Sequence, residues 1–168
     1  NPVDIAAVRS FADTNSNYVF VVNSDGQLCT MSVNVEKDVL GWSRITTDGN
    51  FKKVVEVDNS LYALVERTVD STAQIYLEKM VDSDYYLDSY LADATTPQTT
   101  ITLDHLGNRT VRCLADNSVQ ANITLNASGE GSLGATFTNV AAGLHYESSI
   151  ETLPATVIVQ NQYSQRGE

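Results

Sequence analysis

Turn signals punctuate this chain at short intervals, and the stretches between them alternate apolar and polar residues with a period of two. Tyr18 to Val22 is closed by Asn23-Ser-Asp-Gly26, and Val39 to Ile45 by Thr46-Thr-Asp-Gly49. Asp58-Asn59-Ser60 and Val69-Asp70-Ser71-Thr72 separate Phe51–Val57, Leu61–Arg67 and Ala73–Met80. Asp, Asn, Ser and Gly tolerate the backbone angles of tight hairpin turns, whereas a helix needs a period near 3.6 and an uninterrupted stretch. The segment Gln27 to Val35 shows the pattern most clearly. Cys29, Met31, Val33 and Val35 fall on one face, and Leu28, Thr30, Ser32 and Asn34 on the other, as in a half-buried strand. The chain is therefore read as all-β.

Strands of six to nine residues joined by tight turns make an up-and-down meander, the form in which β-propeller blades read in sequence. No residue-level repeat links one set to the next. Between residues 82 and 96 the character changes. Asp82, Asp84, Asp88 and Asp93 are interleaved with Tyr85, Tyr86, Leu87 and Tyr90, and Thr95-Thr96-Pro97 follows. This predicts a short helix or an aromatic-anchored loop, with a boundary near residues 93 to 98. Past it, strands are expected at Thr99–Leu103, Thr110–Ala115, Asn122–Leu125, Thr136–Val140, Leu144–Ile150 and Thr156–Gln160. Asp116-Asn117-Ser118 and Ser128-Gly-Glu-Gly131 supply the turns. The expected organisation is a blade region over residues 1–93 and a small Greek-key sandwich or barrel over residues 97–168.

Charge narrows the function classes. Twenty-one acidic and ten basic residues give a formal net charge of −11, which disfavours sequence reading of nucleic acid. Fifteen of the acids lie in residues 1 to 96. No apolar run reaches the ~20 residues that span a bilayer. The chain begins Asn1-Pro2 without an initiator Met, the expected mark of a piece cut from a longer polypeptide.

Chemistry-bearing patterns are sparse. Cys29 and Cys113 have no CxxC neighbour; two buried free thiols are expected, with one disulfide joining the halves as the alternative. His105 and His145 lie outside any triad-like motif, and His105 is read as stabilising a turn. Asp82, Asp84 and Asp88 offer hard oxygens to a cation but lack the glycine and terminal glutamate of an EF-hand loop. The Asn-x-Ser/Thr triplets at Asn108, Asn122 and Asn126 are formal glycosylation acceptors of little weight. Trp42 is expected in the core, with a sugar platform as the sharper reading. No catalytic, cofactor-binding or metal residue is assigned, and the chain is expected not to be an enzyme.

An ordered series of short motifs remains. Trp42-Ser-Arg-Ile-Thr-Thr-Asp-Gly49, Leu61-Tyr-Ala-Leu-Val-Glu-Arg-Thr68, Ile75-Tyr-Leu-Glu78 and Tyr86-Leu-Asp-Ser89 follow one another. Leu103-Asp-His-Leu106, Thr110-Val111, Leu114-Ala-Asp116, Leu144-x-Tyr146 and Ile150-Glu-Thr-Leu-Pro154 continue them. In this order and spacing the series resembles the tail hub or nozzle proteins of short-tailed bacteriophages, the stabilisation or tail tubular B-like family, over roughly residues 18 to 155. Ile45, where a His is common in the family, and the weakly basic Gln160 to Glu168 depart from it. The resemblance implies a β-propeller with added β domains, placed in the virion tail as a ring, usually of six copies. Other copies, neighbouring tail and portal-adaptor proteins, and DNA passing without sequence recognition would be its partners. It also implies that Arg44, Thr47, Asp48, Arg67 and Asp88 are structural, with Arg44 or Arg67 reaching a carboxylate across a blade edge. The rival expectation is a host-surface glycan-binding module using Trp42 and Tyr85-Tyr86.

Overall fold

The computed structural model describes residues 1–9, 17–81, 85–152, 156–159 and 162–165. It is all-β, built from antiparallel sheets, none of which closes into a barrel. Strands β1 (Pro2–Arg9), β2 (Asn17–Asn23), β3 (Leu28–Asn34) and β4 (Val39–Ile45) form a four-stranded meander, and β5 (Asn50–Val57), β6 (Ser60–Val69) and β7 (Thr72–Lys79) a three-stranded one. The turn signals act as their chemistry dictates. Asp58-Asn59 and Asp70-Ser71 each put two consecutive residues at positive φ, between 48° and 62°. Each is a two-residue loop between directly paired strand ends, Val57 with Ser60 and Val69 with Thr72. Two positive φ values in a row match the right-handed twist of a hairpin, and Asp and Asn accept that region at low cost.

These two sheets share one core. Val8, Phe20, Val22 and Leu28 of the first meet Phe51, Val54, Leu61, Ala63 and Val65 of the second. Burying a side chain such as Phe20 or Leu28 stabilises the fold by roughly 1.5–3 kcal/mol each. The face of β3 that turns inward is Leu28, Thr30 and Asn34, not the more apolar Cys29, Met31 and Val33. Register explains this: β2 places Phe20 and Val22 opposite Thr30 and Leu28, and those aromatic and aliphatic anchors decide which side meets the neighbouring sheet. Trp42 is corrected by the same logic. It pairs with Met31 on the outer face and is 59% exposed, so it is not a core residue.

Residues 88–93 form a strand, β8 (Asp88–Asp93), rather than a short helix or loop, because they pair with β14 (Val140–Leu144). The Asp93-Thr95 turn that signalled a boundary sits just after this strand: Asp93 Oδ1 accepts from the Thr95 N–H and hydroxyl, both at 2.8 Å. β10 (Thr110–Ala115) pairs with β14, β11 (Ser118–Val119) and β12 (Ile123–Thr124). β9 (Gln98–Thr102) pairs with β13 (Glu130–Phe137). Ile101, Leu103, Leu106, Val111, Cys113, Leu125, Leu133 and Ala142 fill the space between these sheets, so the unit is a sandwich rather than a barrel. The expected strands at 136–140 and 144–150 are both displaced. Val140-Ala-Ala-Gly-Leu144 is buried at every position and shows no alternation, and residues 145–152 carry no strand. The last pair, β15 (Thr156–Val159) and β16 (Gln162–Gln165), forms a separate hairpin. No helix among the described residues is long and apolar enough to cross a membrane.

Candidate functional site: a buried arginine joint

The two hydrophobic cores share no residue; one lies within residues 8–65 and the other within 101–144. A polar cluster around Arg67 connects them. Arg67 occupies the inner face of β6 and is only 2% exposed. Its guanidinium donates to Glu78 through both Nε and Nη2, at 2.8 and 2.9 Å, a bidentate fork suited to a planar carboxylate. Nη1 donates to the Asp48 carbonyl at 2.8 Å, and Nη2 lies 3.6 Å from Asp88. Burial works against the charge on Arg67, but hydrogen bonding and attraction to Glu78, then the fields of Asp88 and Asp48, outweigh it and hold the guanidinium above its usual pKa.

The carboxylates are tied in turn. Thr47 donates its hydroxyl to Asp88 at 2.6 Å, and Ser89 donates to Glu78 at 3.1 Å. His105 places Nε2 2.9 Å from the Ser89 carbonyl oxygen and packs edge-on against Tyr76. His105 is expected to stabilise its own turn; its bond instead reaches β8, sixteen residues earlier in the chain, so it braces across elements. Arg109 adds a more exposed brace, 3.0 Å from the Asp48 carboxylate and donating to the Thr68 carbonyl at 3.1 Å. Thus Thr47, Asp48, Arg67, Tyr76 and Glu78 from the meanders meet Asp88, Ser89, His105 and Arg109 from the sandwich side.

Backbone geometry makes room for the arginine. A Cβ on Gly49 would collide with the Glu66 carbonyl and stand 3.1 Å from Arg67 Cγ. Glycine at the end of Thr47-Asp48-Gly49 is therefore demanded by the close passage of β6.

Of the residues singled out from sequence, Thr47, Asp48, Arg67 and Asp88 come together here. Arg44 does not: it lies on the exposed outer face of β4 and, among the described residues, reaches Gln27 at 3.4 Å and no carboxylate. Glu78, Ser89 and Arg109 were not assigned to this cluster from sequence. The tight turn after Val69 carried a usable signal for Glu78, since its register places Arg67 and Glu78 on the same hairpin face. Asp82 and Asp84, proposed as cation ligands with Asp88, lie outside the described residues. Asp88 itself is engaged by Thr47 and Arg67, and no group of three or more potential metal ligands occurs among the described residues. Both cysteines are free; Cys113 is buried in the sandwich core, while Cys29 is only half-buried and accepts from Asn23 at 3.2 Å.

Chemically, the cluster is a set of satisfied ion pairs. Its charged groups are spent on one another, and its role is to fasten. No protein-family model matches the chain, and no curated protein matches it.

Proposed function

We propose that this chain is a non-catalytic structural part of a short-tailed phage tail, contributing blade-like meanders and a sandwich to a hub or nozzle ring below the portal. One observation carries the reading. The motifs by which the sequence resembles that family are far apart in the chain, yet Thr47-Asp48-Gly49, Arg67, Glu78, Asp88-Ser89 and His105 converge on a single joint. Residues so arranged specify a rigid relation between two β units, which is what a channel wall requires. Both meanders also keep apolar side chains on their outer faces: Ile5, Leu40 and Trp42 on one, Val55, Ile75 and Leu77 on the other. Such faces suit a sheet stacked between others. The net charge of −11 suits a wall past which DNA moves without sticking.

The test is placement. Gold-labelled antibodies against this chain, applied to phage particles from cells encoding it, are expected to mark the tail below the portal. Particles that carry none of it would end the proposal. The glycan-binding reading draws on the exposure of Trp42, at 59%, and Tyr86, at 71%. Retention of the chain on a bacterial-surface glycan array, lost on Trp42→Ala, would favour it instead, and release of reducing sugar would refute the non-catalytic assignment.

A further inference from the structure

An open strand at the edge of a sheet invites pairing with another chain, and folded proteins blunt such edges with bulges, prolines, lysines, inward charges or very short strands. Most described edges of this chain carry one of those devices. β1 contains Pro2 and a bulge before Asp4, and β5 lies beside it, with the Val54 N–H donating to Asp4 at 3.0 Å. β5 is bulged between Phe51 and Lys53 and exposes Lys52 and Lys53. β7 turns Glu78 inward onto Arg67. β8 and β13 pair through bulges, and β9 is five residues long behind Pro97. β11 and β12 hold two residues each, and β15 and β16 four.

β4 has none of them. Seven residues long, it pairs with β3 in an unbroken register from Leu28–Ile45 to Asn34–Val39 and, among the described residues, with no other strand. It holds no proline or lysine, and its one charged residue, Arg44, lies on the outer face. Both of its faces are open: every position from Val39 to Arg44 is exposed, Val39 at 52% and Leu40 at 63%. Such an edge presents a row of unpaired N–H and C=O groups that a further strand can claim. The segment is also complementary to itself when reversed. Asp38 precedes the strand and Arg44 stands near its end, while Leu40 and Trp42 flank Gly41.

We propose that β4 pairs antiparallel with β4 of a second copy, about a two-fold axis at Gly41 perpendicular to the sheet, so that the two four-stranded sheets join edge to edge. This pairing sets Leu40 opposite Trp42, Val39 opposite Ser43 and Asp38 opposite Arg44, each twice by symmetry. Strand alternation keeps Leu40 and Trp42 on one face, so the apolar pairs form on either side of the axis. Centring on Leu40 would set Trp42 against Asp38, and centring on Trp42 would set Arg44 against Leu40. Gly41 matches both pairs. A Cβ built on Gly41 meets nothing within 4 Å, so space is open at the axis in the single chain. The contact is isologous and stops at two copies, unlike the head-to-tail contacts of a ring. It goes beyond the tail assignment and does not depend on it.

Sedimentation velocity of the full chain, at concentrations up to about 1 mM, should show monomers giving way to dimers and nothing larger. Arg44→Asp sets like charges opposite each other at two symmetry-related places and should weaken the dimer ~10-fold; adding Asp38→Arg should restore it. Cross-linking in a Cys29→Ser background reads the register independently. Gly41→Cys puts two thiols on backbones about 5 Å apart, within disulfide reach, whereas Ser43→Cys leaves them roughly 14 Å apart. The first should oxidise to a dimer and the second should not, while Val39→Cys mixed with Ser43→Cys should. Asp38, Val39, Gly41, Ser43 and Arg44 are all exposed, so unaltered circular dichroism is expected to confirm folding. A chain that stays monomeric overturns the proposal. So do association indifferent to Arg44→Asp, growth beyond two copies, and Ser43→Cys dimers that form as readily as Gly41→Cys dimers.

Discussion

Replacing Arg67 with alanine tests the joint most directly. The change removes the bidentate bond to Glu78, the bond to the Asp48 carbonyl and the nearby charge facing Asp88. Stripping one partner from a buried ion pair costs about 3–5 kcal/mol, because the remaining charge is left without compensation. Here the side chains of Glu78 and Asp88 keep 22% and 25% exposure, so water recovers part of that loss. The expected cost is about 3 kcal/mol, at the lower end of the range. For a chain of this size that corresponds to a fall of roughly 6–12 °C in melting temperature. Guanidinium denaturation gives the free energy, and hydrogen exchange followed separately over Leu61–Val65 and Val111–Ala115 reports each unit. In the native chain the two segments should open together, and in the variant at different denaturant concentrations. Arg67→Met with Glu78→Leu should cost less than Arg67→Ala alone, since it removes both charges and keeps the volume. A loss under about 1 kcal/mol for Arg67→Ala, with both segments still opening together, would refute the fastening role.

Three other changes follow from single observations. Thr30 is 7% exposed and its hydroxyl has no hydrogen-bond partner among the described residues, so Thr30→Val should raise stability by about 1 kcal/mol in thermal melts. Gly49→Ala forces a methyl group into the Glu66 carbonyl and should cost about 1–3 kcal/mol by the same measurement, with Arg67 displaced. Burial pushes the Cys113 thiol above the usual thiol pKa, so its neutral form stabilises the fold fully below the unfolded thiol's pKa. That contribution is lost as pH rises through the folded value; denaturation midpoints should fall on the alkaline side, less steeply in Cys113→Ala. In the native chain iodoacetamide should label Cys29 and spare Cys113 until unfolding.

The sequence by itself determined what is local. Period-two alternation and the Asp-Asn and Asp-Ser turns located six strands of the two meanders to within a few residues, because a hairpin turn and the strands it joins are set by neighbouring backbone angles. It missed β1, β8, β11, most of β13 and β16, whose strand character comes from their partners: β2 for the first, β14 for the second, β10, β9 and β15 for the others. Burial was harder still. Alternation shows that a strand has two faces, but which one turns inward depends on the other sheet. Hence the face with Leu28 and Thr30 went in and Trp42 stayed out. The joint was legible only in part. Arg67, Thr47, Asp48 and Asp88 stood out as residues of an ordered motif series, whereas their convergence, and the place of Glu78, Ser89 and Arg109 beside them, required the packed structure. A side chain's neighbours across forty residues are fixed by how sheets stack, and no spacing within one strand encodes that. The strands belong to the sequence; the joint that unites them belongs to the tertiary fold.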